Sequence, residues 1–223
     1  MKASKWLSSL GVVLLLANVA AVQDPVKVSP DTYKVVLDNP TVRIFRVSGP
    51  AGNKVAMHTH PDHIAIPLSS AKVQFSAKGG KPETVDMASE SATYVPAGAH
   101  ESANVGSTPL DAIVIELKAA AGTAEIPTAR EGQTIKVLAE GPKGVAYRAT
   151  ADPSFHEPAG TKHDYAQVVI ALGPSQMSLS IDGKPAAKTS WARGDVQFIG
   201  RGVPHESKNT GGKPSDFIIV AIK

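Results

Sequence analysis

The chain has 223 residues, 42% apolar and 19% charged, a globular composition that excludes a disordered segment of this length. The formal charge is +3 and two of the lysines lie in the first five residues, so no basic nucleic-acid surface remains, and 5% aromatic residues exclude a stacking platform for single strands. The absence of cysteine excludes disulfides, thiolate metal sites, a cysteine nucleophile and a lipid-modified N-terminal cysteine.

In chain order, the first feature is a leader. Lys2 and Lys5 precede an apolar run densest over Leu10 to Ala17, and Val19 and Ala21 set small residues at the two key positions of a cleavage site. A membrane anchor needs about 18 or more apolar residues, and Ser8, Ser9 and Asn18 interrupt this run. Residues 1–21 therefore read as a signal peptide. The mature chain is expected to be secreted or periplasmic, with no membrane span after cleavage.

Short runs with apolar alternation follow at Thr41–Val47, Val73–Ser76, Thr93–Val95 and Ile113–Leu117. A second series comprises Gly144–Ala149, Gln167–Leu172, Met177–Ile181, Val196–Ile199 and Phe217–Ile222. Gly, Pro, Asn and Asp separate them, and no long stretch has a helical period, so the chain reads as all-β, a sandwich or barrel. The series echo each other. His100 to Lys118 and His205 to Lys223 share nine of nineteen positions, and Lys34 to Arg46 aligns with Lys136 to Arg148. Two copies of one domain are expected, at 22–118 and 132–223, joined by the small-residue linker 119–131.

Seven histidines are unevenly placed. His58 and His60, at the start of a strand, are two apart and face one side. His100 can enter from another strand, and three neutral imidazoles with an open position suit a divalent transition metal. The pattern resembles the cupin superfamily. Gly52 stands five residues before His58, and the His-x-His follows. The second cupin motif is matched by Pro96, Gly98, His100 and Asn104 in unit one, with one residue missing before the His, and by Gly194, Gly202, His205 and Asn209 in unit two, with Gly200 in place of Pro. Unit one is similar to small single-domain cupins carrying HxHPD and a later PAGxH.

The resemblance implies two tandem double-sheet (jelly-roll) barrels, one divalent metal (Fe, Mn, Ni or Zn) on His58, His60 and His100, and a small-molecule ligand or substrate. It also leaves open pairing of two copies through sheet edges. The family's Glu falls at Ile64 or Ala65, so unit one resembles the three-His sites of dioxygenase cupins. In unit two Thr161 replaces the first His, leaving a degenerate set of His163, Gln167 and His205, with His156 as a loop ligand, for which weak metal binding or none is expected. His58-Thr-His60-Pro-Asp62-His63 also spells the two-metal hydrolase signature HxHxDH, but the following Ile64-Ala-Ile-Pro-Leu reads as strand rather than helix. Strand parity places Asp62 on the ligand face and His63 on the other unless Pro61 breaks it. Two functions follow: a metal-dependent enzyme of oxygenase type, or a non-catalytic metal- or small-ligand-binding protein.

Overall fold

A computed structural model describes residues 23–118 and 128–223; the leader 1–21 and linker residues 119–127 lie outside the described residues. One short helix, α1 (Pro25–Val28), opens the described chain, its first turn capped by the Asp24 carboxylate on the Val26 amide. Nine strands follow: β1 (Tyr33–Asp38), β2 (Val42–Gly49), β3 (Lys54–His60), β4 (His63–Pro67), β5 (Ala71–Ala77), β6 (Glu83–Met87), β7 (Thr93–Val95), β8 (Gly98–Asn104) and β9 (Leu110–Leu117). A second set of nine comprises β10 (Gln133–Gly141), β11 (Gly144–Ala151), β12 (His156–Thr161), β13 (Ala166–Ala171), β14 (Ser175–Ile181), β15 (Ala187–Trp191), β16 (Val196–Ile199), β17 (His205–Asn209) and β18 (Ser215–Ile222).

Each set makes a five-stranded and a four-stranded antiparallel sheet. The first set orders as β1-β2-β9-β4-β7 and β3-β8-β5-β6, and the second repeats both orders as β10-β11-β18-β13-β16 and β12-β17-β14-β15. The repeat extends to detail. Lys34 pairs with Arg46 as Lys136 pairs with Arg148, and the next residues of β1 and β10 carry the same register shift. Every run read from the sequence as a strand is one. The all-β, double-sheet barrel architecture is therefore what the alternation and the turn residues specify.

The central strands of the large sheets bury both faces. On β9, Ala112, Val114 and Glu116 face the first barrel's interior, while Ile113, Ile115 and Leu117 face the second barrel. On β18, Phe217 and Ala221 face inward, and Ile218, Val220 and Ile222 join the same shared core as Ile113 and Ile115. A strand covered on both sides loses its polar alternation, hence the near-continuous apolar runs. Each fully buried Ile there is worth roughly 1.5–3 kcal/mol. At the rim of this contact Glu90 accepts from both Arg148 and Arg193, at 3.0 and 2.7 Å, and Lys143 pairs with Asp62 at 3.0 Å. Gly141 is held to glycine because a Cβ would strike the Tyr94 ring of the other barrel.

Candidate metal centre

The first barrel's small sheet sets β3 beside β8, with His58 and His100 as direct cross-strand partners. His60, two residues on, faces the same interior. One ligand atom from each of His58, His60 and His100 lies within 4.8 Å of the others. Acceptors behind the rings fix two of the tautomers. His58 Nδ1–H donates to the Ala56 carbonyl at 2.7 Å, and His60 Nδ1–H to Glu116 Oε1 at 2.7 Å, which leaves both Nε2 atoms bare. The Tyr33 hydroxyl donates to His58 Nε2 at 3.2 Å.

Burial keeps these rings neutral, pushing His60 down to about 4, His100 to about 3 and His58 below its usual value. It also pushes the Glu116 carboxyl up to about 7. A buried set of neutral imidazoles, one braced by a carboxyl, has the donor chemistry a divalent transition metal requires. The cluster opens on a cavity of about 470 Å³ whose walls include Val47, Val55, Phe75 and Val114.

The strand position expected of the His-x-His is corrected here. His58 and His60 stand at the end of β3, not at the start of a strand. Pro61 breaks the parity: His63 opens β4 with its ring buried beside His60, centroids 4.8 Å apart, while Asp62 turns out to Lys143 and to the Ala97 amide. His63 Nδ1–H donates to the Pro61 carbonyl at 2.9 Å, so its free Nε2 belongs to the cavity. Tyr33 and Glu116 escaped the sequence reading. A lone Glu inside the apolar run Ile113–Leu117 was the signal for the second of them.

In the second barrel Thr161 is the strand partner of His205, the place His58 holds opposite His100, and His163 follows two residues later. Gln167 is buried with Nε2 3.3 Å from His205 Nε2, and in register with Ala221 it takes the place of His63 opposite Glu116. A carboxylate joins the two imidazoles: Glu157, His163 and His205 offer ligand atoms that lie within 4.8 Å of one another. His156 is exposed on β12 and pairs with Glu206 at 2.8 Å, and it is not part of the cluster of Glu157, His163 and His205. Burial alone would raise Glu157, but hydrogen bonds from His163 and His205 override it and hold the carboxyl far below its usual range. Burial likewise opposes charge on His205, yet Glu157 raises its pKa above the usual value.

No family model matches the sequence, and no curated protein matches it. Solved structures do. A cupin 2 conserved barrel domain protein from Leptotrichia buccalis is 15% identical with TM-score 0.57, covering 86% of this chain and 88% of its own. An oxalate decarboxylase variant from Bacillus subtilis is 11% identical with TM-score 0.62, covering 85% and 71%. A salicylate 1,2-dioxygenase variant from Pseudoaminobacter salicylatoxidans is 11% identical with TM-score 0.60, covering 82% and 71%. The fold is the cupin fold. At such identities the likeness is one of fold alone.

The cupin motif positions carry defined structural work. Gly52 and Gly202 take φ of 80° and 69°, which a side chain would strain. Asn104 donates to the Pro50 and Thr108 carbonyls and accepts from the Gly106 amide; Asn209 repeats this with Ala151, Lys213 and Gly211. The motif asparagine thus ties the strand after the histidine to its turn in both barrels.

Proposed function

We propose that this chain is a secreted two-domain cupin whose first barrel binds one divalent transition metal, Fe, Mn, Ni or Zn, through His58, His60 and His100, and acts on a small molecule as an oxygenase-type enzyme. The observation that carries this reading is the cluster of neutral, convergent imidazoles opening on a largely apolar cavity. The fold neighbours support it, since they include a dioxygenase and an oxalate decarboxylase with Mn(II) centres. When bound, the metal supplies open coordination positions for oxygen donors. Glu116 orients His60 through the Nδ1–H bond, and the apolar walls exclude water from the substrate. His63, its basicity lowered by burial to about 4, offers Nε2 as a hydrogen-bond acceptor toward a substrate hydroxyl. Export is proposed from the leader, with a mature N-terminus near Val22.

Elemental analysis and thermal melts test the metal. The His58→Ala, His60→Ala double variant should lose one equivalent relative to the native chain. It should also lose the metal-induced stabilisation of the native state, about 2.7 kcal/mol at a hundredfold excess over Kd. For a cooperative unit of this size that is roughly 5–10 °C at ~2–4 °C per kcal/mol. Glu116→Gln should weaken binding by about 10- to 100-fold. A double variant that keeps both the metal and the thermal shift overturns the assignment.

A further inference from the structure

The second barrel's cavity, about 600 Å³, has a floor that the cupin motif does not describe. The missing first histidine is replaced from upstream. Glu157 pairs with Ser207, the place Val55 holds opposite Ser102 in the first barrel. The stretch from Glu157 to Thr161 is one residue longer than that from Val55 to His58, and Gly160 within it takes φ of 80°. That bulge leaves the carboxylate on the barrel interior, between two imidazoles. Glu157 Oε1 lies 3.3 Å from His163 Nε2, and Oε2 lies 3.1 Å from His205 Nε2.

In the metal-free chain these contacts are ion pairs that hold the carboxylate between the two rings. Ligand atoms bound at about 2.0–2.1 Å to one ion stand about 2.8–3.4 Å apart, and one ligand atom each from Glu157, His163 and His205 lies within 4.8 Å of the others, close enough to converge on an ion. The His205 Nδ1–H donates to the Val203 carbonyl at 3.1 Å, which presents Nε2 to the cluster. Arg130 Nη2 and Ser207 Oγ, each 3.2 Å from a Glu157 oxygen, hold the carboxylate from behind. Polar side chains, among them Arg130, Lys162, Gln167 and Gln197, share the cavity lining with Phe155, Met177 and Phe217.

We propose that Glu157, His163 and His205 form a second divalent-metal site, distinct in donor chemistry from the first. Two imidazoles and one carboxylate suit borderline ions such as Zn(II), Co(II) or Fe(II), and the carboxylate offsets part of the ion's charge, as no ligand of the three-His set does. The cavity around the cluster mixes apolar walls at Phe155, Met177 and Phe217 with the cationic side chains of Arg130 and Lys162, which fits a ligand with an apolar body and an anionic or acceptor group.

The test uses the full chain carrying His58→Ala and His60→Ala, stripped by chelator and titrated with Co(II), whose visible absorption reports coordination. One equivalent is expected. Glu157→Gln on that background should weaken binding tenfold or more, and Glu206→Gln, a change at a surface carboxylate, should leave it within about twofold. A folded double variant that takes up no Co(II), or a Glu157→Gln chain that binds as tightly as its parent, overturns the proposal. If the double variant does not fold, the unsubstituted chain is titrated instead: two equivalents falling to one with Glu157→Gln are expected, and an unchanged stoichiometry refutes the site. Because the first-barrel ligands are absent from the main experiment, failure there leaves the first metal centre untouched.

Discussion

The two barrels share one strand order and hold their protons in opposite ways. In the first, burial leaves His60, His63 and His100 neutral, at about 4, 4 and 3, and lifts Glu116 to about 7. In the second, Glu157 is held ionised and His205 is biased toward its charged form. The carboxyls are placed differently. Glu116 accepts from the Nδ1–H behind a ring, whereas Glu157 faces the Nε2 atoms of two rings. The backbone fixes where the side chains converge, and the residue at one pairing position, Val55 or Glu157, decides between a neutral donor set and an ion pair.

A shared core ties these unlike sites into one folding unit. Ile115 is fully buried between the barrels, so Ile115→Ala should cost about 2–5 kcal/mol and lower the stability of both barrels in one cooperative transition. Two separate calorimetric transitions in the native chain would show instead that the barrels stand apart.

Acid should separate the barrels more gently. Unfolding returns His60, His63 and His100 to about 6.5, so between pH 6.5 and 4.5 the unfolded chain binds more protons at these sites and stability falls as pH falls. Glu116 opposes this with a single proton, since its folded value near 7 exceeds the unfolded 4.5. The imidazoles outnumber it. In the second barrel the raised His205 contributes stability that is fully present below 6.5 and lost as pH rises through its folded value, and the lowered Glu157 contributes stability lost only as pH falls below 4.5. Urea midpoints of the metal-free chain should therefore drop from pH 6.5 to 4.5, and His63→Gln should flatten that slope. A midpoint that rises over this window contradicts the neutral cluster.

Most of the scaffold could be read from residues. The echo of His100–Lys118 in His205–Lys223 has its counterpart in the repeated strand order of the sheets, and the His-x-His with His100 named the side chains that β3 and β8 bring together. The shared core could not be read, because a strand covered by another sheet and one covered by its own barrel have the same apolar run. Glu157 was hidden by the bulge at Gly160, which breaks the spacing that a motif search relies on. The place of His63 stayed open in the sequence because Pro61 turns the chain between two strands and resets which face each residue meets.

The contrast between the two clusters rests on where the protons sit, and nitrogen-15 NMR of the histidine rings in the metal-free chain at pH 5.5 reads that directly. The rings of His60, His63 and His100 should show one bare and one protonated nitrogen, because their values lie near 4, 4 and 3, while His205, raised above 6.5, should show both nitrogens protonated. Doubly protonated rings in the first barrel, or a neutral His205 in the second, would contradict the account.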